Sequence, residues 1–298
     1  MCRLFGLSAG GQPVVATFWL LEAPDSLAVQ SRRNPDGYGL GTYDAGTPVV
    51  RKRPAAAYED ETFAMEAKRA KSPIFVGHVR YATTGRTALE NTHPFGHADL
   101  LFAHNGVIED LSKLETRIGD RMDIVGGDTD SERLFALIVK ETEVAQGDVE
   151  TGIRAAMEWT ADNLPLYSLN FVMTTATDLW AFRYPESHEL FVLERARGGE
   201  SGDRHFDAGA AGGTMRVRSE GLRDHPAVVV ASERMDEDLG WQLLDPGELV
   251  RVNEGLRITR RIAVDGPPRK LLKLSDLSPK AAHAQSSSKT SELKREEE

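Results

Sequence analysis

The single cysteine of this 298-residue chain stands second, after Met1. The small side chain at position 2 predicts removal of Met1, so the mature chain is expected to begin at Cys2. That residue would then carry a thiol and a free α-amine. An α-amine has a pKa of roughly 7.7–8.0 and is partly a neutral base near pH 7–8. A nucleophile served by its own amine is a recognised catalytic arrangement. Four further stretches carry compatible chemistry. "GHVRYATTGRTALENTHPF", residues 77–95, places Arg80 after an apolar run, where its guanidinium can grip a carboxylate in a bidentate fork. "AHNG", residues 103–106, reads as a strand ending in Asn105 and Gly106, which offer an amide and a backbone N–H to a developing oxyanion. "GDTDSE", residues 127–132, places Asp128 and Asp130 at a helix start. "NPDGYG", residues 34–39, is a turn able to hold a loop near the site.

Each stretch also has a plain structural reading. Arg80 can be a solvated strand-end residue, Asn105-Gly106 a hairpin turn, and the two aspartates helix-start acids facing the positive end of the dipole. Four histidines, His78, His93, His97 and His104, fall within 27 residues and raise a metal hydrolase as a rival. They form no HExxH pattern, and Pro94 breaks any helical pairing of His93 with His97. No metal or other cofactor is expected.

The elements that must position these residues follow from the apolar pattern. "PVVATFWLLEAPDSLAVQSRR" reads as helical with a break at Pro24, and Pro13 suits a first helical turn. "NPDGYGLGTYD" and "TPVVRKRP" read as a hairpin, and "DETFAMEAKRAK" as a helix. "PIFVGHVRYAT" and "DLLFAHNG" read as strands. "DTDSERLFALIVKETE" is a helix with Thr129 and Glu132 spaced as a capping box, and "DVETGIRAAMEWTADNL" is a second helix. A run of strands closes the chain. This order is not the regular alternation of a parallel doubly wound fold; it suits antiparallel sheets with helices layered outside. The glycine-rich stretch at 198–213 reads as a surface loop, and the tail from 281 as polar and disordered.

Composition narrows the functional classes. Hydrophobic residues make up 40% and charged residues 28%, as in an ordinary globular protein. A net charge of −10 argues against a nucleic-acid partner. No apolar run reaches a membrane span, and no basic, apolar leader is visible, so neither a membrane nor export is expected. One cysteine forms no internal disulfide, and a cytoplasmic location would keep it reduced.

Taken in order, Cys2, "HVRYAT", "HNG" and "DSE" resemble the class II glutamine amidotransferases, which are N-terminal-nucleophile (Ntn) hydrolases. The phrases "MCRLFGLSA", "ALENTHPF", "AHNG" and "TDSE" resemble their short, stand-alone members, and the resemblance runs from Cys2 to about residue 260 through "VVASERMDEDLGWQLLDPGELVRV". It implies an α+β, four-layer αββα fold with two stacked antiparallel sheets between helix layers. The domain would span 2–265, with 266–298 as a largely disordered extension. The resemblance further implies Cys2 as nucleophile on a γ-amide carbon and its α-amine as proton carrier. Asn105 and Gly106 would form the oxyanion hole. Arg80 with Thr83 would hold the α-carboxylate, and Asp130 the α-amino group. Asp128 would belong to the helix cap. One departure is visible: many members carry an Arg-Gly pair after the first helix, and "SRRNPDGYG" leaves the role of Arg32 or Arg33 open. The expected partner is a small molecule, glutamine or another γ-glutamyl compound. Some short relatives act on γ-glutamyl thiol compounds. About 38 residues follow position 260, too few for a second synthase domain. Ammonia would therefore pass to a separate synthase partner or be released, and a homo-oligomer stays open. A non-catalytic binding subunit is the remaining alternative; the presence of both Cys2 and Asn105 argues against it.

Overall fold

The computed structural model describes residues 2–83, 85–196 and 225–286. The period-two alternation of side chains in its strands sets the layering. In Arg3–Ser8, Phe5 and Leu7 pack with Trp19, Phe63 and Phe75, whereas Leu4 joins Val76, Val172, Val230 and Val250. In Leu100–Ile108, Leu101 and Ala103 join that second group, and Phe102 packs with Phe135, Met157 and Phe171. Three cores result, one between two sheets and one on each outer face.

The first sheet has seven strands in the order Gln242–Leu243, Phe191–Arg195, Ala227–Ala231, Arg3–Ser8, Ile74–Val79, Tyr38–Asp44 and Thr47–Arg53. The second has six, in the order Ile258–Ile262, Glu248–Val252, Leu179–Phe182, Leu166–Thr174, Leu100–Ile108 and Phe95–His97. Neighbouring strands pair antiparallel throughout both. Helix Glu61–Arg69 covers the outer face of the seven-stranded sheet through Phe63 and Ala67. Helices Asp130–Val144 and Val149–Asn163 cover that of the six-stranded sheet through Phe135, Leu137, Ile153 and Met157. The architecture is the four-layer αββα arrangement with two stacked antiparallel sheets.

Arg3–Ser8 is the central strand of its sheet. Arg3 pairs with Val79 on one side and Phe5 with Ala231 on the other. Cys2 therefore lies at the open end of the central strand, beside the point where Ile74–Val79 runs into Arg80.

Several expectations are corrected. The "PVVATFWLLEAPDSLAVQSRR" segment is not one broken helix. Pro13 precedes a short strand, Val14–Val15; Phe18–Glu22 is a wide turn closed by an i→i+5 bond from Ala23 N–H to the Phe18 carbonyl; and only Leu27–Gln30 is α-helical. Phe18, Trp19 and Leu20 are all buried, so no polar face imposes a helical period. The strand holding Asn105 and Gly106 does not end there. It continues to Ile108, with Asn105 opposite Asn170 and Gly106 opposite Leu169. Cross-strand pairing overrides the local turn preference of Asn-Gly. The Thr129 cap forms, its hydroxyl accepting from Glu132 N–H at 3.2 Å. The Glu132 carboxylate accepts from Gly127 N–H at 2.7 Å, not from its cap residue as a capping box requires.

Part of the expected extension, residues 266–286, packs on the domain. Residues 270–272 hydrogen-bond alongside Leu166, and helix Pro279–Ser286 follows. Leu277 and Ala281 bury against Val107 and Tyr167, and Gln285 Oε1 lies 2.5 Å from His188 Nε2. Apolar burial, small in each residue, outweighs the polar composition of this segment. The glycine-rich stretch 198–213 and tail positions 287–298 lie outside the described residues.

Candidate active site

A cleft at the end of the central strand is lined by Cys2, Arg80, Tyr81, Thr83, His93, His104, Gly106, Thr129, Asp130 and Ser131. Five of the six residues singled out from the sequence (Cys2, Arg80, Thr83, Gly106 and Asp130) meet here. Asn105 does not line it. Its side chain is buried one residue behind Gly106.

Cys2 is half-buried. Its Sγ accepts from the Tyr81 N–H at 3.3 Å and faces the Tyr81 carbonyl at 3.5 Å. Burial pushes its thiol pKa up, against the Tyr81 N–H and the positive charge of Arg80. The thiol is thus placed but not ionised by its surroundings, and nucleophilic attack requires a base to remove its proton.

Arg80 is buried, and two segments fix it. The Asn34–Gly39 turn holds its backbone: Arg80 N–H donates to the Gly37 carbonyl (2.7 Å), and Asp36 N–H donates to the Arg80 carbonyl (3.0 Å). The Asp36 carboxylate accepts from Ala82 N–H at 2.8 Å, so the turn does hold the neighbouring loop. The guanidinium donates through Nη1 to the Arg86 carbonyl at 2.9 Å. Burial disfavours its charge, and Cys2, Asp36 and Asp130 offset this. Arg80 and Asp130 therefore share one electrostatic environment.

Asp130 opens helix Asp130–Val144 and is 3% exposed. Its Oδ2 accepts from Ile108 N–H at 3.0 Å, tying the carboxylate to the strand that carries Asn105 and Gly106. Asp128, by contrast, is not part of the cap. Thr129 is the cap residue, and the Asp128 side chain is 60% exposed, 3.9 Å from Arg86.

Gly106 is required by a close approach. A Cβ there would come within 2.1 Å of the Ser168 carbonyl and 2.4 Å of His104 Nε2. Asn105 Nδ2 is buried and makes no hydrogen bond among the described residues.

His93 and His104 line the cleft. The rings of His78 and His93 pack with centroids 4.1 Å apart, tilted by 36°, and His104 Nδ1 lies 2.9 Å from Ser131 Oγ. Gly39 makes room for this packing: a Cβ there would meet the His93 carbonyl at 1.9 Å. Burial lowers His78 and His104 to about 3 and holds His93 well below its usual range, so all three are neutral. His97 lies apart, in Phe95–His97. Among the described residues no three His, Cys, Asp or Glu side chains are grouped to hold a metal.

Asn91 was not assigned a role from the sequence. It is fully buried; its Nδ2 donates to the Arg86 carbonyl (3.1 Å) and its Oδ1 accepts from Asp128 N–H (2.8 Å). It thereby fixes the carbonyl that orients Arg80. The available signal was an amide inside the "ALENTHPF" phrase. Arg32 stacks over Tyr58 at 5.4 Å and takes no part in the cleft.

The profile of class-II glutamine amidotransferases matches residues 1–273, and the chain belongs to that family. It is an enzyme of this family, acting on γ-glutamyl amide bonds, on an Ntn-type fold. Among its relatives is the probable glutamine amidotransferase DUG3 of Saccharomyces cerevisiae, 26% identical, the match covering 85% of this chain and 82% of that one. Another is the gamma-glutamyl-hercynylcysteine sulfoxide hydrolase of Mycobacterium tuberculosis, 28% identical over 90% of this chain and all of the other. In fold, the chain matches a glutamine aminotransferase class-II domain protein from Silicibacter pomeroyi with TM-score 0.57 at 19% identity, covering 88% of this chain and 100% of that one. It matches the glutamine phosphoribosylpyrophosphate amidotransferase of B. subtilis with TM-score 0.62 at 20% identity, covering 89% of this chain and 50% of that one.

Proposed function

We propose that the chain is a stand-alone hydrolase of a small γ-glutamyl compound and that its mature form begins at Cys2. The catalytic unit spans residues 2–265. The carrying observation is the convergence of Cys2, Arg80, Gly106 and Asp130 on one cleft. A γ-glutamyl group ends in a zwitterion, which needs one cation and one anion side by side; Arg80 and Asp130 supply them. Arg80, with Thr83 beside it, takes the α-carboxylate, and Asp130 takes the α-ammonium.

The released α-amine of Cys2 serves as the base. The imidazoles at the cleft are poor substitutes, since burial holds His104 at about 3 and His93 well below its usual range. The amine takes the thiol proton as Sγ attacks the γ-carbonyl carbon. The oxyanion that forms accepts hydrogen bonds from the Gly106 N–H at the cleft and from the adjoining Asn105 Nδ2, which is buried and makes no hydrogen bond among the described residues. Collapse breaks the C–N bond, and the ammonium returns its proton to the departing ammonia or amine. Water, deprotonated by the same amine, then attacks the γ-glutamyl thioester carbon; the C–S bond breaks, the ammonium returns the proton to Sγ, and glutamate leaves.

The hydrolase reading is favoured over delivery of ammonia to a synthase partner by the similarity to a γ-glutamyl hydrolase along that relative's full length. No helix among the described residues is long and apolar enough to cross a membrane, and we place the enzyme in the cytoplasm, where its thiol stays reduced. The test is a panel of γ-glutamyl amides, glutamine and γ-glutamyl thiol compounds among them, assayed for released glutamate. Turnover of at least one supports the reading. Glutamate release that appears only when a synthase and its acceptor are added supports the partner-dependent alternative instead.

A further inference from the structure

Cys2 sits where the backbone ladder of the central strand runs out, and a charge network, sheltered at Arg3 and open at Arg33, takes over from that ladder. Arg3–Ser8 pairs with Ala227–Ala231 up to Phe5 opposite Ala231. One step nearer the N-terminus, Ser232 continues the pairing with both of its groups. Its N–H donates to the Leu4 carbonyl (3.2 Å), and its Oγ accepts from Leu4 N–H (3.0 Å). One step further the grip passes to side chains, with Arg3 ion-paired to Glu233. Arg3 also donates through Nη1 to the Cys2 carbonyl at 3.3 Å. The Glu233 carboxylate thus reaches the nucleophile through a single guanidinium.

Glu233 has a second cation. Arg33 Nη2 lies 3.1 Å from Glu233 Oε2 and 3.0 Å from Asp25 Oδ1. Asp25 is held in turn by Gln30 Nε2, which donates to its carboxylate (3.2 Å) and its carbonyl (2.9 Å). Arg33 directly precedes the Asn34–Gly39 turn that fixes the backbone of Arg80. One carboxylate therefore joins the strand end carrying Cys2 to the turn that places the carboxylate-binding arginine. The Arg3 side chain is 4% exposed and that of Glu233 24%. A charge pair this sheltered is strongly coupled, and removing one partner is costly.

We propose that Glu233 is a positioning residue for the nucleophile, clamping Arg3 and Arg33 so that Cys2 and the Asn34–Gly39 turn keep a fixed relation. This rests on Cys2 being the nucleophile, as proposed above. Glu233 does not line the cleft and touches no substrate group, so its loss should act first on the attack at Cys2 and only weakly, through the turn behind Arg80, on substrate binding. It also gives Arg33 the role that the missing Arg-Gly pair left open.

The test is steady-state kinetics of Cys2→Ala, Glu233→Gln, Arg33→Gln and the Glu233→Gln/Arg33→Gln double variant. The substrate is the γ-glutamyl amide the wild type turns over best, and melting temperatures are recorded alongside. Glu233→Gln keeps the side-chain shape and removes the charge. It should lower kcat tenfold or more with KM within about twofold of wild type. The double variant should be little worse than Glu233→Gln alone, because Arg33 acts through Glu233. If Glu233→Gln does not fold, Arg33→Gln carries the test, with kcat lowered several-fold at unchanged KM. Wild-type kcat in either folded single variant, or effects that multiply in the double variant, overturns the proposal while an inactive Cys2→Ala leaves the function intact. Activity that survives Cys2→Ala overturns both.

Discussion

The Cys2 thiol meets the backbone N–H of Tyr81 at 3.3 Å. Tyr81 follows Arg80 directly, so the sulfur proposed to attack and the guanidinium proposed to hold the substrate are fixed to adjacent residues at one strand end. The distance between grip and attack is set by the sheet, and the two functions can be separated by mutation.

Asn105→Ala should lower kcat roughly 10²–10³-fold, about 2.7–4 kcal/mol, and leave KM nearly unchanged. The variant removes a buried amide donor with no hydrogen bond among the described residues, so the fold loses little. Steady-state kinetics with a thermal melt checks this. A kcat within a few-fold of wild type would make Asn105 a strand residue only.

The residues that meet at the cleft were legible because each sits in a short phrase at the end of an element: Cys2 before a strand, Arg80 after one, Asp130 at a helix start. Their convergence was legible only through the family resemblance. What stayed hidden depends on distant pairing. Glu233 is 230 positions from Arg3, and nothing local in "VVASERMD" announces that contact. Asn91 acts through two backbone groups that the fold brings to it. The extent of the Asn105 strand was misjudged because Asn-Gly favours turns locally, and pairing with Leu166–Thr174 decides otherwise. Residues 266–286 read as disordered because their apolar side chains are few and spaced without a period, although Leu277 and Ala281 bury against Val107 and Tyr167.

Arg80→Lys and Asp130→Asn should raise KM more than they lower kcat, since the groups they hold do not react. Loss of a charge-assisted pair in an enclosed site weakens binding by about 2–3 kcal/mol, roughly thirty- to over a hundredfold in KM. Lysine should not rescue Arg80, because an ammonium lacks the planar fork. Substrates without the α-amino group should be poor for the wild type and lose little more with Asp130→Asn. Wild-type KM in both variants would remove Arg80 and Asp130 from the substrate grip.

Acid should destabilise the fold through its buried histidines. Burial holds His78, His104 and His188 at about 3, against an unfolded value near 6.5, and holds His93 well below that value. Between those limits the unfolded chain binds more protons than the folded one, so stability is full above pH 6.5 and falls as pH drops below it. From pH 6.5 to 5 each histidine accounts for at most about 2 kcal/mol. Urea unfolding at pH 7.5, 6 and 5 should show a steep loss, and His188→Gln should reduce it by up to that amount. Equal stability at pH 7.5 and 5 would mean that these imidazoles are protonated without cost.

The central claim is a γ-glutamyl thioester on Cys2, and the most direct measurement is the mass of the N-terminal peptide from an acid-quenched reaction with a substrate the enzyme turns over. The wild-type peptide should begin at Cys2 and carry one γ-glutamyl group in a fraction of molecules, removable by hydroxylamine. Cys2→Ala should carry none and release no glutamate. Full turnover by Cys2→Ala, a γ-glutamyl group on any other residue, or fully active enzyme that retains Met1 would contradict it.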